Sequence, residues 1–432
     1  MTQNVPEREP TNPATVQSAA WDAGPAWPWP AMQGLIGPRY LVALVLGMGI
    51  WAGLLLAFIW IIDPYGVSPM HVTIAGINKI KLKRVNIDRI IKPYEVWRYQ
   101  PRTIFMGTSR INESFDPAVL DGTPFAPAYN AAIPANEINE VYADLDQYLK
   151  FDSNLRVMFL EVFFYNFSRP VAAVHHRDFG RFIWDATALM FSETALSDAT
   201  LTIGYNSVAG ANVIPAHTTP RGFWVPTTWF NTADTFNSKV FIETIIRIHA
   251  NIPDLQVQPT AFAALDHIVE LCARHQVELH LIITPNYPWD DYRLVSLGYW
   301  SRVEDFYRRL SHYSNVVSFA QYNTPVTEPA GPGMRFWYDP IHFSVTTGRM
   351  MLRALIGTQD PERPENFMRP ITPETVEAAL AERRNGLERW VAANREFAEQ
   401  FDRARDAAYE KRVTLPAPAL SSVSPPPSAN PK

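Results

Sequence analysis

A serine just after a buried apolar run, and a histidine just before a late helix, are the residues of this chain best suited to covalent chemistry. The first lies in Gly107-Thr108-Ser109-Arg110, directly behind TIFMG at 103–107. In open α/β sheets ligands collect at the carboxyl ends of the strands, so a serine there presents its hydroxyl to a crevice. Backbone N–H groups around such a turn can hold a developing oxyanion. The second is Asp339-Pro340-Ile341-His342. A spacing of three lets the carboxylate fold back onto the imidazole and fix its tautomer and orientation. A serine hydroxyl is a weak nucleophile at neutral pH and needs such a base. Nucleophile, base and orienting acid together suit acyl transfer. The Gly-x-Ser-x-Gly elbow is absent, because Ile111 stands where its second glycine would be.

Positioning these groups requires an alternating array of strands and helices. Buried strands are predicted at 103–107, 128–131, 155–162, 277–284 and 315–319. Helical spacing marks 135–150 (Ile138, Val141, Tyr142, Leu145, Leu149), 260–275, 303–310 and 344–356. This alternation predicts an α/β fold with a doubly wound parallel sheet over 102–357. The stretch from about 164 to 238 breaks the rhythm and reads as an aromatic-rich insertion that could wall a cleft. Residues 373–412 read as one long amphipathic helix. Residues 1–38 and 413–432 are Pro/Ala-rich tails without periodicity, and 63–101 reads as a connecting segment.

Residues 41–62 carry no charge over 22 positions and include thirteen Leu, Ile, Val and Phe residues. As a helix they would extend roughly 33 Å, about the thickness of a bilayer's hydrocarbon core. About forty residues precede them and no small-x-small cleavage site follows closely, so an uncleaved single-pass anchor is expected. Arg39 flanks one end, while Lys79, Lys81, Lys83 and Arg84 lie beyond the other. Those four are distant enough that an inside N-terminus and an extracytoplasmic domain remain the expected arrangement.

The net charge of -5, with no basic stripe, argues against a nucleic-acid surface. Cys272, the one cysteine, sits in a helical apolar pattern and reads as a small buried hydrophobe. His175, His176 and His217 lack the spacing of a metal site, and Gly331-Pro332-Gly333 is a turn, so neither metal nor cofactor is expected. Glu161 and Glu243 have no partner at readable spacing, which leaves glycosidase chemistry unsupported. Phe223, Trp224, Trp229 and Phe230 could stack on sugar rings, or could simply bury one another.

Three segments, IFMGTSRINESFDP, YNAAIPANEINEVYADLDQYL and WYDPIHFSVTTGRMML, together resemble the SGNH (GDSL-like) hydrolase superfamily. The likeness spans about 102–357 and looks closest to a membrane-anchored bacterial branch that includes alginate O-acetylation and D-alanine transfer proteins. The resemblance implies a flavodoxin-like sheet, with catalytic serine, histidine and aspartate on Ser109, His342 and Asp339. The family's oxyanion glycine falls where this chain has Ala132. Its oxyanion asparagine should follow the third strand, where Asn166 is the candidate. The branch works outside the cytoplasm beside a membrane-bound O-acyltransferase, which implies an inner-membrane protein facing the periplasm. The expected function is an O-acyltransferase or acylesterase acting on exported or cell-surface glycan. The alternative is a silent SGNH-like scaffold that binds a glycan or a partner subunit.

Overall fold

Six strands form the central sheet: β1 (Thr103–Met106), β2 (Ala128–Asn130), β3 (Val157–Glu161), β6 (Glu278–Ile283), β7 (Val316–Ser318) and β8 (Arg369–Pro370). Their order is β2-β1-β3-β6-β7-β8, all parallel except β8, which closes the edge antiparallel to β7. A separate hairpin joins β4 (His217–Thr218) and β5 (Trp224–Val225). Counting only the parallel strands of the sheet, the order is the doubly wound 2-1-3-4-5, whose switch point lies between β1 and β3. This computed structural model describes residues 37–414 apart from 71, 82–86, 152, 169–178, 209–216, 226–235, 252–254 and 332. His175, His176, Trp229, Phe230 and the tail residues 1–36 and 415–432 lie outside the described residues.

The strands are apolar on both faces, as strands covered by helices on each side must be. Ile104 and Met106 of β1, with Met158 and Leu160 of β3, enter one core. That core is covered by α4 (Ile138–Phe151), α9 (Pro259–Arg274) and α11 (Trp300–Leu310). Phe105 and Phe159 point the other way, into a core shared with α8 (Ser238–Asn251), α10 (Pro288–Ser296) and α12 (Val345–Leu355). Each fully buried Leu, Ile or Phe contributes roughly 1.5–3 kcal/mol over exposure, so these two layers fix the sheet. Cys272 lies in the first core, where burial pushes its thiol up to about 12 and leaves it inert.

Two segments differ from their sequence reading. Within the connecting segment, α2 (Asp88–Tyr99) is a packed element. Lys92 is fully buried there, and its Nζ donates to Asn112 Oδ1 at 2.5 Å and to the Ala132 carbonyl. Burying an ammonium requires acceptors of that kind. The expected long C-terminal helix is two, α13 (Val376–Ala393) and α14 (Arg395–Thr414), broken at Asn394. The break lets Phe397 stack on Trp289, centroids 4.8 Å apart, and buries Phe401. Both helices therefore pack on the α/β domain.

At the other end of the chain, α1 (Pro38–Ile62) is a 25-residue helix long and apolar enough to cross a membrane. By contacts the chain divides into Met1–Leu54 and Leu55–Lys432. In the second unit, Ile59, Ile62 and Tyr65 form a third core with Ile91 and Tyr94 of α2. The insertion helices α6 (Phe179–Ala188) and α7 (Ala195–Val208) complete it through Ala186, Ala195 and Ala199.

Candidate active site

The turn that carries Ser109 begins where β1 runs out. Gly107 is required there, because a Cβ at this position would lie 2.7 Å from Glu161 Cβ and 2.9 Å from Ile111 Cγ1. Thr108 then caps the one-turn helix α3 (Ser109–Asn112). Glu161, fully buried at the end of β3, pins the turn: its Oε2 accepts from the Thr108 N–H at 2.8 Å and from Thr108 Oγ1 at 2.7 Å. Its Oε1 accepts from Thr284 Oγ1 at 2.9 Å. The chain leaving α3 is held from below by Asn130, whose Nδ2 donates to the carbonyls of Ile111 and Phe115, each at 2.9 Å.

His342 arrives on a loop stitched to the same segment. Ser114 Oγ donates to the Phe343 carbonyl at 2.5 Å, and Gly348 of α12 sits where a Cβ would come within 1.9 Å of the Ser114 carbonyl oxygen. Only glycine allows that approach. The outcome is a relay: Ser109 Oγ lies 2.8 Å from His342 Nε2, and His342 Nδ1 lies 2.7 Å from Asp339 Oδ2. Asp339 Oδ1 also accepts the N–H groups of Ile341 at 2.7 Å and His342 at 2.8 Å, so the loop closes on its own carboxylate. With its proton on Nδ1, the imidazole leaves Nε2 to accept from the serine hydroxyl.

The charges favour this arrangement. Burial pulls the His342 pKa down, but the Asp339 carboxylate, by charge and hydrogen bond, and then Glu113 lift it to about 8. Burial raises Asp339, yet His342 and the loop N–H groups outweigh it and hold the carboxyl below its ordinary value. Glu113 is the unforeseen neighbour. Its Oε1 is 4.0 Å from His342 Nε2, its Oε2 is buried without a hydrogen-bond partner, and burial pushes its pKa up to about 7.

The relay opens on a cavity of about 200 Å³ lined by Ser109, His342, Arg110, Asn136, Phe163 and Asn166, among others. Arg110 is buried; its guanidinium donates to Asn286 Oδ1 at 2.9 Å and lies 4.2 Å above the Phe163 ring. Two asparagines of the lining are different. Asn136 is 1% exposed, and neither its Nδ2 nor its Oδ1 has a partner. Asn166, at 6%, also has an unpartnered Nδ2. The Asn136 wall is built by the strand above it: the Ala131 N–H reaches the Phe105 carbonyl at 2.9 Å and the Ile133 N–H the Gly107 carbonyl at 3.1 Å. Ala135 then takes φ +56°, a left-handed conformation that costs a non-glycine residue of order 1 kcal/mol or more.

No family model matches the chain, and no curated protein matches it. Among solved structures, one described as "a putative platelet activating factor from Streptococcus pneumonia" is similar over 64% of this chain and 94% of its own, at 11% identity and a TM-score of 0.31. That likeness is too low to carry an argument. The chemistry rests on the geometry.

Of the residues expected from sequence, Ser109, His342 and Asp339 come together, and Asn166 lines the same cavity. Ala132 does not. It is fully buried, its N–H donates to Asn130 Oδ1 at 3.1 Å and its carbonyl is taken by Lys92, so it has no free donor to offer. Ala135 and Asn136, a few residues on, occupy the cavity wall instead. Glu161, read as an isolated carboxylate, is the clasp of the serine turn, whereas Glu243 is exposed on α8. Glu161's place at the end of a wholly apolar strand was the available signal. Nothing in NAAIPANEINE singled out Asn136 from Asn130 or Asn139.

Proposed function

We propose that this chain is a membrane-anchored SGNH-type O-acyltransferase or acylesterase acting on exported or cell-surface glycan. The observation that carries the reading is the relay from Ser109 Oγ through His342 to Asp339, at 2.8 and 2.7 Å. Ser109 attacks the acyl carbonyl carbon while its proton passes to His342 Nε2. Asp339 holds the resulting imidazolium. The carbonyl oxygen, now an oxyanion, takes hydrogen bonds from Asn136 Nδ2 and Asn166 Nδ2, the two amides left unpartnered in the cavity. Collapse expels the alcohol, which leaves with the proton from His342. The acyl group then sits on Ser109 until water or a sugar hydroxyl attacks, with His342 taking the new proton.

A cavity of about 200 Å³ is smaller than the ~300 Å³ at which pockets for drug-sized ligands begin, so it suits a short acyl group such as acetyl. The apolar α1 suits a single-pass inner-membrane anchor with the cleft on the periplasmic side. A membrane-bound O-acyltransferase is the partner that would supply the acyl group there.

The test is labelling of the full chain in detergent by a fluorophosphonate, together with hydrolysis of aryl acetate. Both are expected in the native protein and absent in Ser109→Ala. Absence of both in the native protein would replace the enzyme with a silent scaffold.

A further inference from the structure

Helix α7 has its polarity reversed. Asp198, Thr202 and Asn206, spaced four apart, form a polar stripe that is buried. The outward residues are Leu196, Ser197, Thr200, Leu201, Gly204 and Ser207, with no charge among them. A helix facing water shows the opposite pattern. The buried stripe is satisfied by the segment that follows α1. Tyr65 Oη donates to Asp198 Oδ2 at 2.7 Å, and Asn206 exchanges hydrogen bonds with the Ile80 N–H and carbonyl at 2.8 and 3.0 Å.

The neighbouring surface carries large apolar side chains beside the exposed Arg181 and Glu193. Trp184 of α6 is 66% exposed and Phe191, in the 3-10 turn Leu189–Phe191, is 62% exposed, while Leu201 is 55% exposed. Large aromatic side chains left open in this way mark an interaction surface. The Phe191 ring meets that of Trp60 edge-on, 6.2 Å between centroids, and Trp60 belongs to the last turn of α1. The end of α1 is itself closed by Lys81, whose Nζ donates to the Ile62 carbonyl at 2.9 Å. Through Trp60 and Phe191 this face adjoins the last turn of a helix long enough to span a bilayer, and Trp, Phe and Leu are the side chains that enter a membrane interface while charged neighbours stay among the headgroups.

We infer that the outward faces of α6, the Leu189–Phe191 turn and α7 lie in the headgroup layer of the bilayer that α1 crosses, forming a second, lipid-bound contact for the unit Leu55–Lys432. The occupant is a lipid surface, entered to the ~5–10 Å depth of an interfacial helix. The inference rests on reading α1 as the membrane span.

The experiment uses the full chain with Cys272→Ala and one new cysteine at a time: Trp184→Cys, Leu201→Cys, Leu46→Cys within α1, and Asp305→Cys at an exposed site on α11. Each protein carries a bimane label in vesicles of phosphatidylethanolamine and phosphatidylglycerol. Quenching by a headgroup nitroxide lipid is compared with quenching by aqueous iodide. Circular dichroism and the fluorophosphonate reaction confirm that each variant is folded. Lipid quenching at 184 and 201 about twofold or more above that at 305 is the expected result. Lipid quenching at 46 with 184 and 201 matching 305 overturns the inference and leaves the span intact. Loss of lipid quenching at 46 as well overturns both. Shielding of 184 and 201 from both quenchers marks a second copy of the chain on this face and overturns the lipid assignment.

Discussion

The residues that line the cavity are built on two opposite principles. On the Ser109 side the polar groups of the relay are partnered: hydroxyl to imidazole, imidazole to carboxylate, carboxylate to loop N–H groups, and the turn itself clasped by Glu161. On the Asn136 side, buried amide atoms have no partner and the chain bends through a left-handed alanine to hold them there. Leaving a buried donor unsatisfied costs about 1–3 kcal/mol. On the acyl-transfer reading proposed above, the partnered relay supplies the nucleophile and base, and the unpartnered amides the site for new negative charge.

Substitutions in the two sets of residues should have graded effects. Asp339→Asn should cost most, about ten-thousandfold in kcat for aryl acetate, because the wrong tautomer then faces Ser109. Its circular dichroism should stay native. Asn136→Ala should lower kcat by about a hundredfold to a thousandfold with KM little changed, the signature of a transition-state donor. Asn166→Ala should do the same to a lesser degree; native rates in both asparagine variants would mean that the unpartnered amides take no part in turnover. Gly348→Ala should reduce stability by about 1–3 kcal/mol in urea unfolding, since α12 must retreat from the Ser114 carbonyl. The smallest effect should come from Glu113→Gln. His342 accepts a proton only when neutral, so kcat/KM should rise with pH toward a limb near 8. Asp339 and Glu113 favour the imidazolium and Arg110 opposes it, so removing the Glu113 charge should move the limb to lower pH by a fraction of a unit.

Much of the partnered wall was legible in sequence. Ser109 follows an apolar run that only a covered strand explains, and Asp339 and His342 carry their mutual contact in their spacing. The sheet was legible for the same reason: β1 and most of β3 are apolar on both faces, β6 ends in the apolar run Leu281-Ile282-Ile283, and the helices between them keep their period. The unpartnered wall was not legible. Asn136 reaches the cavity because Ile133 continues a ladder onto Gly107 and Ala135 turns left-handed, both of them long-range results of packing. Ala132 was expected in its place from likeness of position, and lost it because its N–H is spent on Asn130. Glu113 was hidden too, since only the fold sets it beside His342. The split of the C-terminal helix comes at Asn394, whose side chain bonds back to the Trp390 carbonyl, and what the split serves, the stacking of Phe397 on Trp289 more than a hundred residues earlier, shows only in the fold.

The central claim is that Ser109 takes the acyl group itself. Intact and peptide mass spectrometry of the full chain, acid-quenched within its first turnovers of p-nitrophenyl acetate at pH 8.5, reads this directly. One acetyl group on Ser109, absent from both Ser109→Ala and His342→Ala, is the predicted result. Release of nitrophenol by the native protein with no acetyl on Ser109, or at an unchanged rate in Ser109→Ala, would contradict it.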